Sequence, residues 1–194
     1  MGVLNLSDAS IKSGGKRTTF WDQATAWNEG LQLIQTTSFS SAASVSLDNV
    51  FSDDYVQYKI VSKITSVSAN AYNYLRLRAG GTDTTTGYRT QYLIAAGTGK
   101  SAARNTNFPH LIQLAYVLSG INDGVCDAEI LNPYQATYTL AISQSAERPE
   151  SVNPEVRFWT GGINTTTQYD GFTLIPSTGT FTGTVSVYGY YKGG

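Results

Sequence analysis

The sequence predicts an all-β fold: a β-sandwich of the jelly-roll type, preceded by a short N-terminal arm that carries one candidate helix. Three observations lead there. Short runs of alternating apolar and polar residues recur from Val45 to Tyr191. Clusters of Gly, Pro, Asn and Ser separate them. Charged residues make up only 14% of the 194, against about 25% in an ordinary soluble domain, and Ser and Thr fill the polar positions instead.

Residues 1–40 read as the arm. Lys12, Lys16 and Arg17 lie among Ser and Gly with Asp8 alone opposing them, which suits an extended segment. Phe20, Ala24, Trp27, Leu31 and Ile34 then recur at helical spacing. Thr19 is placed to cap this helix and Asp22 to favour its first turn, while Gly30 costs about 1 kcal/mol. Phe20, Trp21 and Trp27 need a surface to bury against. That surface is either the domain's own core or a partner protein.

Residues 41–194 read as the sandwich. Val45 and Leu47 open a short strand. Val56, Tyr58, Ile60 and Ile64 alternate with polar residues, as do Leu75, Leu77 and Ala79 with Tyr74, Arg76 and Arg78. Gly80-Gly81-Thr82-Asp83 breaks the chain. Tyr88–Ala95 is a further strand, and the mostly apolar Leu111–Leu118 is expected to be central. Ile130 leads into the break at Asn132-Pro133. Tyr138, Leu140 and Ile142 alternate again, Glu147–Pro154 with its two prolines reads as a loop, and Val156 and Phe158 interleave with Arg157 and Trp159. Two runs flanking Pro176-Ser177-Thr178-Gly179 predict a terminal hairpin. Its last strand has one dry face (Phe181, Val185, Val187) and one Thr/Tyr face ending in Tyr188 and Tyr190. The total is about eight to ten strands, without an internal repeat.

Composition narrows the function. A net charge of −1 supplies no field to recruit nucleic acid or anionic lipid. No apolar run approaches the roughly 18 residues of a membrane span. The single Cys126 excludes an internal disulfide, so stability is expected from the core or from oligomerisation, with Cys126 as a buried thiol. A low-charge, hydroxyl-rich chain looks extracellular, yet its N-terminus shows no secretory h-region. Release of virus particles by lysis reconciles the two.

Candidate chemistry is sparse, and no enzyme activity, metal or cofactor is expected. Gly97-Thr98-Gly99-Lys100-Ser101 resembles the end of a P-loop, but Ile94 stands where the motif needs Gly and no helix follows, so a strand-to-strand loop is expected. His110, the one histidine, lies at the mouth of an apolar strand and reads as structural. One His and one Cys do not make a zinc site. Asp53-Asp54, Asp123, Asp127 and Glu129 supply the carboxylates a glycosidase would need, without a spacing that pairs them across a cleft. Tyr72, Tyr74, Arg76, Arg78 and Arg89 are candidates to share one face, of the kind that stacks single-stranded nucleic acid, although the overall charge argues against that partner. Tyr188 and Tyr190 suit either a sugar ring or a neighbouring subunit, and the subunit is favoured.

Ser46-Leu47-Asp48-Asn49-Val50-Phe51, then Tyr55–Ile60, then Leu75–Asp83, and finally Tyr169–Ile175 with Thr180–Tyr190, occur in an order that resembles a family of small virion proteins of tailed phages, notably of marine and cyanobacterial hosts, often labelled tail fibre. The resemblance covers about residues 44–191. It implies a jelly-roll-like module, trimeric, on the outside of the particle. The chain lacks a heptad or collagen-like tract to serve as a fibre shaft. The expectation is therefore a non-enzymatic capsid decoration or cement protein. Lys12, Lys16, Arg17, Phe20, Trp21 and Trp27 would anchor it to the major capsid protein, or to a tail or fibre protein. The alternative is a tail-tip module that recognises host glycan.

Overall fold

In the computed structural model, residues 10–13, 16–19, 30–96, 98–120, 124–150 and 153–191 are described. They form antiparallel strands and, among themselves, no helix. The smaller of the two main sheets is built from β4 (Val45–Leu47), β6 (Ala71–Ala79), β10 (Ile112–Val117) and β14 (Gly171–Pro176), in the order β10-β6-β14-β4. A short β7 (Thr82–Asp83) pairs with the end of β6. The larger sheet holds β3 (Leu31–Ala42), β5 (Tyr55–Val67), β8 (Tyr88–Ala96), β9 (Gly99–Phe108), β11 (Gly124–Leu131), β12 (Thr139–Glu150), β13 (Asn153–Ile163) and β15 (Phe181–Tyr191). Its order is β3-β15-β5-β11-β12-β13-β8-β9. A separate ribbon pairs β1 (Ser10–Ser13) with β2 (Lys16–Thr19).

Period-2 alternation puts one face of each sheet in the core. Leu75 and Leu77 of β6 and Phe172 and Leu174 of β14 meet Tyr58, Ile60 and Ile64 of β5 and Val185 and Val187 of β15, all buried. Each such side chain contributes about 1.5–3 kcal/mol on burial. Phe51 bridges the sheets, 4.6 Å from the Tyr58 ring and 5.7 Å from Phe172. The Tyr58 hydroxyl donates to Ser52 O at 2.8 Å and accepts from Ser52 N at 2.7 Å, so its phenol is buried without an orphaned polar group. Gly80 and Gly81, at φ 56° and 78°, turn β6 back onto β7 in the left-handed region that a two-residue hairpin loop requires.

β10 is the element around which the larger sheet bends. Sheet order leaves one of its edges without a strand, yet five of its six residues are buried. β12 and β13 pass across that edge. Gly161 of β13 comes so near Leu111 that a Cβ would sit 1.7 Å from the Leu111 carbonyl oxygen, a position only glycine fits. Side chains of β12 satisfy the exposed backbone. Ser143 Oγ donates to Gln113 O at 2.6 Å, and Tyr116 N donates to Glu147 Oε1 at 2.6 Å. Ser145 Oγ also donates to Glu147 Oε1 at 2.8 Å, and Arg157 Nε donates to Oε2 at 2.7 Å. Burial raises the Glu147 carboxyl above its ordinary range, and Arg157 with these hydrogen bonds offsets part of that cost.

The larger sheet then curls past β10. Tyr116, Tyr72 and Tyr74 on the outward side of the smaller sheet run into Phe108 and His110, and Phe108 meets Trp159 and, through it, Tyr92. The Arg157 guanidinium lies 5.6 Å from the Tyr72 ring centroid and 5.2 Å from that of Tyr116.

The β-sandwich expected from sequence is what forms, with several elements placed differently. The expected terminal hairpin is an arch: β14 pairs with β6 and β4, whereas β15 pairs with β3 and β5 in the other sheet. Pro176–Thr180 carries the chain across, held by Ser177 N to Tyr72 O at 2.7 Å and Ser68 N to Thr180 O at 2.9 Å. Leu31 and Ile34, expected on a helix, lie in β3, because pairing with β15 outweighs a helical spacing that Gly30 already weakened. Residues 31–42 therefore belong to the larger sheet, not to an arm ending at 40. Leu111–Leu118 holds an enclosed edge strand rather than a central one. Glu147–Pro154 extends two strands of a long hairpin, with Glu150 opposite Asn153. β9 has no counterpart in the sequence reading, since its residues carry no apolar period.

Glu147→Ala would leave the Tyr116 N–H without its acceptor and the buried Arg157 with Glu155 as its remaining carboxylate. It should cost about 3–5 kcal/mol in urea unfolding, while Ser143→Ala, which removes one neutral donor, should cost about 1 kcal/mol. Gly161→Ala should destabilise by about 3 kcal/mol or prevent folding.

Candidate functional site

The outward face of the larger sheet is the surface that the fold leaves unexplained. Inward positions on β11, β12 and β13 include Cys126, Ala128, Ser143, Ser145, Arg157 and Trp159, all buried. The alternate positions point away from the core and are apolar. Leu131 stands opposite Leu140, Val125 opposite Ala146, Ala146 opposite Val156, and Phe158 opposite Leu93. Ile142 joins Leu140 to Phe158 by its place on β12. Leu33 (58% exposed), Ile142 (51%), Leu140 (49%) and Leu93 (49%) are the most exposed large apolar side chains described.

Among the described residues, nine of the twelve exposed large apolar side chains lie on this one face: seven in a continuous field over β11, β12, β13 and β8, and Leu31 and Leu33 on β3. The seven of the continuous field expose on the order of 600 Å², at the upper end of the roughly 300–600 Å² of the largest patch on a typical monomer. With Leu31 and Leu33 across the polar strip, the face as a whole reaches about the 800 Å² per partner of a standard protein interface. Shallow depressions texture the field. One, of 260 Å³, is lined by Asp127, Glu129, Ile142, Ser143, Gln144 and Phe158, and another, of 320 Å³, is floored by Leu131, Leu140 and Ile142.

A polar strip separates the two apolar parts. Lys59 Nζ contacts Asp127 Oδ2 at 2.5 Å, and that bond raises the Lys59 pKa despite partial desolvation. Gln57 Nε2 donates to Glu129 Oε2 at 2.6 Å and Tyr190 OH to Glu129 Oε1 at 2.8 Å, so the Tyr190 pKa also rises. Among the described residues, Asp127 Oδ1 has no hydrogen-bond partner. A half-exposed pair of this kind contributes about 0–1 kcal/mol to stability, but its charges fix how a second surface can lie on the face.

Tyr188 and Tyr190, predicted as subunit or glycan contacts, are both on this face, half-buried, beside Lys59 and Gln57. Lys12, Lys16 and Arg17 fall in the β1–β2 ribbon, where Lys12 stands opposite Arg17 and Lys16 opposite Ser13. Phe20, Trp21 and Trp27 lie outside the described residues. The apolar field itself was not picked out from sequence. Its signal is β12 and β13 read together: Ala141, Ser143, Ser145, Glu147 and Arg157 alternate with Leu140, Ile142, Val156 and Phe158, so one face of the pair is polar and the other greasy.

The remaining candidates resolve into structure. Tyr72, Tyr74, Arg76 and Arg78 share the outward face of β6, while Arg89 lies on β8 in the other sheet. Arg78 is held by Asp48 at 2.7 Å and Asp83 at 2.5 Å. Arg76 Nε donates to Pro109 O and to His110 Nδ1, each at 3.1 Å. The charge of Arg78 is thereby paired, while Arg76 is tied through its Nε to neutral acceptors. Cys126 is wholly buried and its thiol pKa is pushed well up. Lys100 and Ser101 lie in β9, the second strand of a hairpin. Among the described residues, no three His, Cys, Asp or Glu side chains gather as a metal site.

His110 stacks on Tyr74 at 4.2 Å, and burial, with Arg76 close by, lowers its pKa to about 4. The unfolded chain takes up this proton near pH 6.5, before the folded one does. The histidine's contribution is therefore full above pH 6.5 and is lost as pH falls toward 4. Urea midpoints for the wild type and His110→Gln, measured from pH 4 to 7.5, should differ in slope over that window.

No family model matches this chain, and no curated protein matches it.

Proposed function

We propose that the chain is a non-enzymatic structural protein of the outer surface of a tailed-phage virion, a capsid decoration or cement protein. Its copies pack through the outward face of the larger sheet into a closed trimer, and the residues before β3 attach it to the major capsid protein. The apolar field of β11, β12, β13 and β8 carries this reading. Burying on the order of 800 Å² per copy is what a stable oligomer needs, and closed symmetry covers every copy's face at once. The phage assignment rests on the resemblance of residues 44–191.

One observation favours a second reading, a tail-tip module for host glycan. The depression at Asp127, Glu129, Gln144 and Phe158 sets hydrogen-bonding groups beside an aromatic ring, the chemistry that holds a sugar.

Gold-labelling the protein on intact particles separates these. Label in symmetric positions over the head supports decoration, label at the tail end supports the glycan module, and unlabelled particles overturn the virion assignment. Independently, Ile142→Asp with Phe158→Asp should convert the oligomer to a monomer by light scattering, with a urea midpoint close to wild type, since both side chains are already exposed in the single chain. An unchanged oligomer would remove this face as the contact.

A further inference from the structure

Each main sheet ends in two edges, and three of the four are guarded. β4 is three residues long. β10 is enclosed by β12 and β13, its backbone taken up by Ser143 and Glu147. β9 carries Lys100 and Arg104. Short length, cover and basic side chains are the ordinary means of keeping an edge from pairing with another chain. Among the described residues, β3 has none of them. It spans Leu31–Ala42, twelve residues without a charge or a proline. Among the described residues, nothing pairs with its outer edge. Its irregularities against β15 fall toward its two ends, leaving Gln35–Phe39 as a regular run in the middle.

We infer that β3 is a seam between two copies of this chain: the β3 strands of two molecules pair antiparallel about a two-fold axis at Thr37, joining their larger sheets into one. The occupant is a second copy for two reasons. An isologous contact closes the unguarded edges of both copies in a single event and with no further component. The strand is also uncharged and the whole chain carries a net charge of only −1, so self-pairing sets no like charges opposite one another. With the axis at Thr37, Thr36 faces the partner's Ser38 and Gln35 the partner's Phe39, a mostly polar and β-branched ladder suited to strand pairing. The seam is separate from the trimer contact proposed above. It uses the edge of the sheet rather than its face, and it stands if that reading fails.

A cysteine scan tests it. Gln35, Thr36, Thr37, Ser38 and Phe39 are replaced singly by Cys in the full chain and exposed to mild oxidant; the native Cys126 is buried and silent. A disulfide needs Cα atoms within about 4.4–6.8 Å, a range reached only by the residue on the axis. Dimer on a non-reducing gel should peak sharply at Thr37→Cys and fall at least five-fold two positions to either side. The same scan in the Ile142→Asp, Phe158→Asp background should keep its peak, which distinguishes failure of the seam from failure of the face contact. Backbone exchange provides a second readout free of any substitution: β3 amides should gain protection as protein concentration rises. A flat scan together with concentration-independent exchange overturns the inference, whether the edge is then open, covered by residues 1–29 of the same chain, or taken by a different protein.

Discussion

The fold depends on how the open edge of β10 is closed. A buried strand edge leaves backbone N–H and C=O groups that must find partners, each costing about 1–3 kcal/mol if left alone. Here side chains rather than a strand supply them. Ser143 takes the carbonyl of Gln113, and Glu147 takes the amide of Tyr116. Glu147 can be buried because Arg157 and Ser145 hold it, and Arg157 can be buried because Glu147, Glu155 and two tyrosine rings surround it. The inward face of β12 is thus committed to small and polar residues, and that of β13 to Arg157 and Gly161 beside Trp159. The larger sheet must lie close over the edge for these bonds to form, which is why Gly161 meets the Leu111 carbonyl.

That commitment has an outward cost. A strand has only two faces, and β12 and β13 spend one on polar contacts to β10. Their Leu, Ile, Val and Phe residues therefore occupy the other, where the single chain leaves them in water. The binary pattern of this hairpin is inverted relative to an ordinary sandwich strand, and both halves of the inversion have a physical origin. The inner half is explained by the contacts to β10, and the outer half stands exposed among the described residues.

The strands of the central core were legible in the sequence because each has one dry face and one wet one. Tyr58, Ile60 and Ile64, or Leu75 and Leu77, announce themselves by period and are buried where the period places them. The direction in which β12 faces was not legible, since alternation marks a strand without saying which side is in. Nor was β9 legible, an exposed edge whose Ser, Asn and Ala positions never had to be apolar. The arch at Pro176–Thr180 and a hairpin turn share the same residue types; what separates them is which sheet β15 joins, a contact with residues more than a hundred positions away. Tyr188 and Tyr190, expected as contact residues from the same alternation, lie on this face beside Lys59 and Gln57. Their greasier neighbours on β12 and β13 were hidden by the inversion.

The position of β15 also bears on how the molecule is made. It lies between β3 and β5, strands that precede it by well over a hundred residues. Until residues 181–191 have left the ribosome, β3 has no partner strand among those described, and β5 offers an open edge along one side. The larger sheet can therefore close only late in synthesis, and its contacts are of the long sequence separation that makes folding slow. During that interval β3, uncharged and unpaired, is the segment most exposed to mispairing with a neighbouring nascent chain.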